Sequence, residues 1–157
     1  MSKVKNIDGT PHFPVVSLFS GAMGLDIGLM QAGLNIAVSQ DYDKWCVETI
    51  KKNGHVGVLG DIRELINQDP SCDFLLKAGG LKKDSVFAVV GGPPCQSFST
   101  AGKRLGVEDE RGQLYNQFIH VVDQLRPRFF VMENVKGLAS TLVDPADKQS
   151  LPLLDHI

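Results

Sequence analysis

The chain has 157 residues, 43% of them hydrophobic and 22% charged, which is the composition of one globular domain and not of a disordered chain. A formal net charge of −2 lacks the basic excess typical of nucleic-acid-binding domains. The three cysteines form no Cys-x-x-Cys pair and no Cys/His ligand spacing, which argues against disulfides and structural zinc and predicts a cytoplasmic setting. Residues 1–10 lack the apolar core of a signal peptide, and no membrane span is predicted.

Short apolar runs alternate along the chain with segments of helical period. The predicted strands are residues 15–19, 36–39, 56–59, 86–90 and 129–132. The predicted helices are one carrying Leu25, Leu29 and Met30, one capped by Asp43 with Trp45 and Ile50 facing inward, 62–68, 71–78, and one with Leu114, Phe118 and Leu125 on one face. This alternation predicts βαβ units in a doubly wound, mostly parallel α/β sheet. After residue 138 the pattern fades.

Two acidic residues and a small-residue turn suggest a cofactor site. Residues 19–24 join the first strand to a helix and let a ligand approach the backbone. Asp41, 20 residues after Gly21, can accept hydrogen bonds from ribose hydroxyls, although a turn without a ligand is an equal alternative. Asp61 could meet an adenine amino group, but taken alone we favour a helix N-cap. No Gly-Lys-Ser or Gly-Lys-Thr sequence follows the turn, so it is not the phosphate loop of nucleoside triphosphatases.

A cysteine and a carboxylate follow the fourth and fifth predicted strands. Cys95 comes after Gly-Gly-Pro-Pro, where a thiol at the carboxyl edge of the sheet can act as a nucleophile. A lone cysteine is more often a small buried apolar residue, but these neighbours do not resemble a core segment. Glu133 ends the fifth strand, which we expect beside the fourth, so thiol and carboxyl would meet at one edge and suit acid-assisted attack on a heterocycle.

Together these segments resemble the DNA cytosine-5 methyltransferase family of the bacterial restriction-modification type. The matching segments, in the family's order, are residues 19–26, Asp41, 60–62, 92–99, 111–115 and 133–135. Ser17 and Met23 depart from the family, which usually has an acidic residue and a glycine there. The resemblance implies a Rossmann-like S-adenosylmethionine-dependent methyltransferase fold, incomplete at its C-terminal end. Residues 1–157 would then be the N-terminal part of the catalytic, cofactor-binding domain, without the target-recognition domain and the C-terminal motifs.

The resemblance also implies a mechanism and a set of site residues. Cys95 would add to C6 of a flipped-out cytosine, Glu133 would bind N3 and the exocyclic amine, and C5 would take the methyl group of S-adenosylmethionine, leaving S-adenosylhomocysteine without any metal. The implied cofactor ligands are Phe19, Ser20, Gly21, Met23, Gly24, Leu25, Asp41, Tyr42, Asp61, Ile62, Gly92, Pro93 and Leu114. The implied contacts with double-stranded DNA are Gln96, Ser97, Ser99, Lys103, Arg104 and Arg111, within or beside a loop at 97–110 that would close over the DNA.

Other functions stay open on the sequence alone. Some members of the family methylate tRNA, and the segment that would decide the substrate is absent. The chain could also be a non-catalytic S-adenosylmethionine-binding fragment that needs a second chain or a downstream segment for target recognition. A Cys–His hydrolase using Cys95 with His120 or His55 would leave the small-residue turn at 19–24 without a function. Lys103 and Arg104 could equally be solvated loop charges.

Overall fold

The computed structural model describes residues 13–94 and 114–134. Five strands form one parallel sheet in the order β3-β2-β1-β4-β5: β1 (Pro14–Leu18), β2 (Asn35–Asp41), β3 (Gly57–Leu59), β4 (Ala88–Gly91) and β5 (Phe129–Met132). The helices between them are α1 (Gly24–Gln31), α2 (Lys44–Lys52), α3 (Ile62–Gln68), α4 (Asp73–Gly79) and α5 (Leu114–Leu125). The predicted parallel α/β sheet is confirmed.

The sheet has apolar layers on both faces. Because successive side chains of a strand point to opposite faces, β1 contributes to both layers. Val16 and Leu18 pack with α3, α4 and α5, and the buried members of this layer are Val38, Ile62, Ile66, Cys72, Leu75, Leu76, Val86, Val89, Phe118, Val121 and Leu125. Val15 packs on the other face with Ile36, Ala88 and Val90, where Leu29 and Met30 of α1 cover them. The sheet is therefore doubly wound.

The strand order fixes where a ligand site can lie. From β1 the chain proceeds outward through β2 and β3, and then returns to place β4 and β5 on the opposite side of β1. The direction of winding reverses between β1 and β4. In open α/β sheets, ligands bind at this reversal, beyond the carboxyl ends of the strands. The segments that follow Leu18 and Gly91, which are paired in register, lie at that point.

Several predicted elements differ in detail from the structure. The predicted α3 matches at both ends, but α4 begins at Asp73, because Cys72 adopts a left-handed conformation with φ of 59°. A short 3-10 helix, Lys83–Ser85, lies outside the predicted helices. No helix in residues 13–94 and 114–134 is long and apolar enough to cross a membrane. The predicted loop at 97–110 and the chain after residue 138 lie outside the described residues.

The expected inward position of Trp45 is wrong. Its side chain is 72% exposed, and the Lys44 ammonium lies 5.6 Å from the centre of its ring. The buried residues of α2 are Val47 and Ile50, the latter as predicted. At 100° per residue these two lie on the side of the helix opposite Trp45. The aromatic character of Trp45 therefore did not indicate which face of α2 is buried.

Candidate active site

The turn between β1 and α1 has a strained backbone. Phe19, Gly21 and Met23 have φ values of 53°, 53° and 72°, and two of these three residues are not glycine. A left-handed conformation costs a non-glycine residue on the order of 1–3 kcal/mol, and it persists only where the surroundings enforce it. Met23 is buried and directly precedes α1, and its N–H donates to the Ser20 carbonyl at 3.0 Å. We call residues 19–23 the cofactor turn below.

Asp41 holds the cofactor turn to the end of β2. One carboxylate oxygen, Oδ2, accepts the Gly21 N–H at 2.8 Å, and Oδ1 accepts the Asp43 N–H at 2.8 Å. The side chain is buried. A carboxylate has about four acceptor positions, so these two bonds leave acceptor capacity on both oxygens. Asp41 therefore shapes the turn, a role that the sequence did not predict, and its contact with ribose stays a prediction.

A buried polar cluster lies beneath the cofactor turn. The Asp26 carboxylate is 0% exposed and accepts the Ser17 hydroxyl at 2.5 Å and the Ser39 hydroxyl at 2.7 Å. The Ser20 hydroxyl, in the turn itself, lies 3.1 Å from the Ser17 hydroxyl oxygen. Sequence reasoning placed Asp26 in a motif but gave it no role. Two features of the sequence could have indicated this cluster: Asp26 is the one acidic residue of the apolar helix α1, and Ser17 is the one polar residue of the apolar strand β1.

Asp61 caps α3, as we favoured on the residue alone. Its Oδ1 accepts the Arg63 N–H at 2.9 Å, and the Arg63 guanidinium binds both carboxylate oxygens at 3.0 and 2.6 Å. These hydrogen bonds from Arg63 lower the pKa of Asp61. The neighbouring Ile62 is buried in the core. The predicted contact of Asp61 with adenine is not tested by this geometry.

Apolar surface is exposed beside these carboxylates. Tyr42, directly after β2, is 70% exposed, and Leu59, at the end of β3, is half exposed. In the turn and in α1, a Cβ added at Gly21 or Gly24 would meet no atom within 4 Å. Of the other predicted cofactor residues, Leu25 is exposed on α1. Leu114 is half-buried and packs against the apolar layer of α3, α4 and α5.

Glu133 lies against the segment that leads to Cys95. Its N–H donates to the Gly91 carbonyl at 2.9 Å, and Asn134 donates its side-chain N–H to the Pro93 carbonyl at 3.3 Å. A Cβ at Gly92 would lie 3.0 Å from the Glu133 carboxylate oxygen Oε2. The predicted proximity of β4 and β5 is thus confirmed, and the contacts continue to Pro93. Cys95 and the predicted DNA contacts Gln96, Ser97, Ser99, Lys103, Arg104 and Arg111 lie outside the described residues.

The cofactor turn and the segment that follows β4 leave the sheet side by side. Leu18, the last residue of β1, pairs with Gly91 of β4. A Cβ at Gly91 would lie only 2.5 Å from the Leu18 carbonyl oxygen, so only glycine fits there. The turn that starts at Phe19 and the segment that starts at Gly92 therefore begin from adjacent strand ends. This arrangement could hold a nucleoside cofactor on one side and an acid–nucleophile pair on the other.

The two cysteines within the described residues are not activated thiols. Burial raises the pKa of Cys72 to about 11, so this thiol is not ionised at neutral pH. Desolvation, with the nearby carboxylates of Asp41 and Asp43, raises the pKa of Cys46. His120, considered above as the base of a hydrolase, places its Nε2 2.9 Å from the Pro70 carbonyl oxygen, where it connects α5 to the α3–α4 loop.

The relatives of this chain are methyltransferases. Type II methyltransferase M.AquIA of Picosynechococcus sp. is 44% identical over 79% of this chain and 49% of its own length. M.FnuDI of Fusobacterium nucleatum is 42% identical over 80% of this chain and 33% of its own. M.NgoPII of Neisseria gonorrhoeae is 34% identical over 97% of this chain and 42% of its own. The chain thus spans about a third to a half of the length of these curated relatives.

Solved structures agree with the fold. A prophage-encoded E. coli protein assigned as a DNA modification methyltransferase is 30% identical, with a TM-score of 0.58 over 80% of this chain and 33% of that one. The S. pombe Dnmt2 methyltransferase has a TM-score of 0.57 at 21% identity, which supports the fold alone. Residues 13–150 match the family described as C-5 cytosine-specific DNA methylase. This match covers most of the sequence, and the chain therefore belongs to the C-5 cytosine-specific DNA methylase family.

Proposed function

We propose that the protein containing this chain transfers a methyl group from S-adenosylmethionine to C5 of cytosine in double-stranded DNA. The observation that carries the proposal is the position of the Glu133 carboxylate against Gly92, beside the cofactor turn, at the reversal of the sheet. This arrangement supports an acid and a nucleophile acting on a base next to a nucleoside cofactor. The family of the chain supports the same reaction.

The cofactor would lie on the β1–β3 side of this edge. The open space at Gly21 and Gly24 fits a ligand close to the backbone, and the buried Asp41 carboxylate has acceptor capacity left for ribose hydroxyls. Tyr42 and Leu59 offer exposed apolar surface for an adenine ring. The Asp61 carboxylate, at the end of β3, would accept the adenine amino group. S-adenosylmethionine supplies the electrophilic methyl group.

The chemistry would proceed through a covalent bond between Cys95 and the base. The Cys95 thiolate adds to C6 of cytosine, while Glu133 donates a hydrogen bond to N3 and accepts one from the exocyclic amine. Electron density would then move to C5, which would take the methyl group as its bond to the cofactor sulfur breaks, leaving S-adenosylhomocysteine. A base removes the proton from C5, the bond between C6 and the sulfur breaks, and the thiolate is regenerated. The target nucleotide must first leave the duplex, since C6 is not accessible inside it.

Covalent trapping tests this proposal. The full protein containing this chain is incubated with S-adenosylmethionine and a DNA duplex carrying 5-fluorocytosine, whose fluorine cannot be removed as the proton is. We expect a stable protein–DNA adduct, its loss in Cys95→Ala, and a strongly reduced rate in Glu133→Gln. Cys46→Ala is the matched control and should retain the adduct, because its thiol has a raised pKa. An adduct that persists in Cys95→Ala would refute the assignment, and methylation of tRNA but not DNA in parallel assays would change the substrate.

A second experiment tests Asp61 as a cofactor ligand. Serine caps helices about as well as aspartate, but its hydroxyl does not reach as far. We therefore expect Asp61→Ser to match Asp61→Asn in thermal stability, because both lose the charge that pairs with Arg63, and to bind S-adenosylhomocysteine less tightly. Asp61→Asn is the control that keeps both the cap and the reach of the acceptor. Unchanged affinity in Asp61→Ser would leave Asp61 with its capping role alone.

A further inference from the structure

We propose that Asp26 is a positioning residue, which acts through Ser17 and Ser20 to hold the cofactor turn in the conformation that binds S-adenosylmethionine. The inference rests on the proposed function, because it takes the turn as the cofactor site. Asp26 itself lies beneath the turn and is fully buried, so it contacts no ligand. Its influence on binding must therefore pass through the side chains that it holds.

The carboxylate of Asp26 ties three elements together. Asp26 lies in the first turn of α1, and its two oxygens accept hydroxyls from Ser17 on β1 and Ser39 on β2. Ser17 and Ser39 are partners in the parallel register of these strands, which explains how one carboxylate can reach both. A carboxylate removed from water is stable only where donors compensate for the lost solvent. These two hydroxyls, together with the start of α1, provide that compensation.

Only one of the two serines passes the connection on to the cofactor turn. The nearest acceptor of the Ser20 hydroxyl is the Ser17 hydroxyl oxygen at 3.1 Å, and the carbonyls of Ser17 and Gln40 lie farther away, at 3.3 Å each. The Ser20 N–H also donates to the Gln40 carbonyl at 3.1 Å. Within residues 13–94 and 114–134, the hydroxyl of Ser39 bonds to Asp26 alone. Asp26, Ser17 and Ser20 therefore form a chain of hydrogen bonds that ends inside the turn, whereas Ser39 ends in the core.

The backbone of the cofactor turn needs neighbouring bonds to keep its conformation. Phe19 precedes Ser20 in a left-handed conformation, and the buried Met23 closes the turn in another. Such conformations relax unless neighbouring bonds enforce them. Without the Ser17 hydroxyl, Ser20 would lose one of the bonds that fix its side chain. The turn would then populate other conformations more often, and the cofactor would have to select the binding-competent one. The apparent affinity would then fall in proportion to the fraction that is competent.

The pair Ser17→Ala and Ser39→Ala tests the inference. Each variant removes one hydroxyl from the same buried carboxylate, so both should lower the melting temperature of the full protein by similar amounts. We expect Ser17→Ala to weaken S-adenosylhomocysteine binding by about 5- to 10-fold, the value of one hydrogen bond, and Ser39→Ala to leave it unchanged. Calorimetric titration measures both constants. Asp26→Asn should weaken binding as Ser17→Ala does, raising KM for S-adenosylmethionine without lowering kcat.

The outcomes separate this inference from the proposed function. If wild-type protein does not bind S-adenosylhomocysteine, the proposed function fails, and this inference fails with it. If wild-type protein binds and both serine variants lose affinity equally, or Ser17→Ala loses none, the positioning role of Asp26 is refuted while the cofactor site stands. A double-mutant cycle of Ser17→Ala with Ser20→Ala should show that the two losses of affinity are not additive. Additive losses would contradict the hydrogen-bonded connection.

Discussion

The strands at the two sides of the site differ in how completely they are buried. All five residues of β1 are buried. The Ser17 and Ser39 hydroxyls of β1 and β2 both donate to Asp26 of α1, and Asp41, at the end of β2, accepts the Gly21 N–H. β5 forms the other side of the site, next to β4, and its side chains are far less covered. Phe129, Phe130 and Val131 are 59%, 49% and 50% exposed.

The two sides of the site therefore differ in how far the described residues support them. Within the described residues, the hydrogen bonds of the cofactor turn come from β1, β2, α1 and the turn itself. Glu133 follows a strand with three successive, half-exposed apolar residues, a pattern typical of a surface that another part of a protein covers. We therefore expect the acid–nucleophile side to depend on chain beyond these residues.

The largest effect is expected from isolating the 157 residues. Alone, this chain should bind S-adenosylhomocysteine weakly and should transfer no methyl group to DNA. The full protein should bind it more tightly and should transfer the methyl group. Radiolabelled methyl transfer measures the activity. Amide hydrogen exchange measures the contrast directly, since β5 should exchange quickly in the isolated chain and slowly in the full protein. β1 should be protected in both.

Cys95→Ala in the full protein provides the background for the transfer assay. Robust turnover by the isolated chain would show that the exposed β5 surface does not limit the site. Equal exchange of β5 amides in the two proteins would contradict the contrast as well. Either result would mean that the acid–nucleophile side, like the cofactor side, does not depend on chain beyond the 157 residues.

The next largest effect is expected at Gly91 of β4, which pairs with Leu18 of β1 between the two sides of the site. An alanine Cβ there would lie 2.5 Å from the Leu18 carbonyl oxygen, and backbone cannot move aside without breaking the β1–β4 pairing. We expect Gly91→Ala to lower the free energy of unfolding by about 3 kcal/mol, at the upper end of overpacking effects. Urea denaturation measures this loss. Gly28→Ala is the control, because a Cβ there meets nothing within 4 Å and alanine stabilises a helix by about 0.5–1 kcal/mol. Equal stability of the two variants would contradict the close approach.

A smaller and more specific effect is expected at Gly92. Its added Cβ would lie 3.0 Å from Glu133 Oε2, and this exposed carboxylate can yield while the fold remains. Displacing the acid should lower kcat by about 10- to 100-fold in Gly92→Ala, with little change in the melting temperature. Steady-state methylation kinetics measure kcat. Loss of S-adenosylhomocysteine affinity instead would favour the cofactor contact that the resemblance implies for Gly92, and unchanged kinetics would refute both roles.

Local patterns predicted the elements, and strand ends predicted the location of the site. Asp41 and Glu133 are both read directly from the sequence as residues that follow apolar runs, and parallel strands bring their carboxyl ends to one edge. The bounds of α3 could be predicted because Asp61 caps it and Asp69-Pro70 stops it. These signals are local, so no knowledge of register is needed.

What the sequence could not predict depends on contacts between distant residues. The cluster of Asp26, Ser17 and Ser39 exists because two strands pair in one particular register, which no periodicity specifies. Trp45 was misplaced because burial on α2 is decided by the sheet that packs against Val47 and Ile50. Both cases depend on packing between residues that are distant in the sequence, which local patterns do not specify.

The smallest expected effect is a pH dependence at the cofactor side. Hydrogen bonds from Arg63 lower the pKa of Asp61 in the folded protein below its ordinary value of about 3.9. As the pH falls, the unfolded chain therefore takes up the proton first. The stabilisation is complete above the unfolded pKa and is lost as the pH falls through the folded one. Arg63→Met should remove most of this contribution and leave the cap in place.

We expect Arg63→Met to lower the free energy of unfolding at pH 7 by about 0.2–1 kcal/mol, the range of partly exposed ion pairs. The difference from wild type should shrink below about pH 4, as the carboxylate becomes protonated in both proteins. Urea denaturation at a series of pH values measures it. Arg126→Met is the matched control, because its ion pair with Asp123, at 2.7 Å, has both side chains more exposed than those of Arg63 and Asp61 and should contribute less. A difference for Arg63→Met that stays constant from pH 7 to pH 3 would mean that its guanidinium stabilises α3 by packing and not through the charge of Asp61.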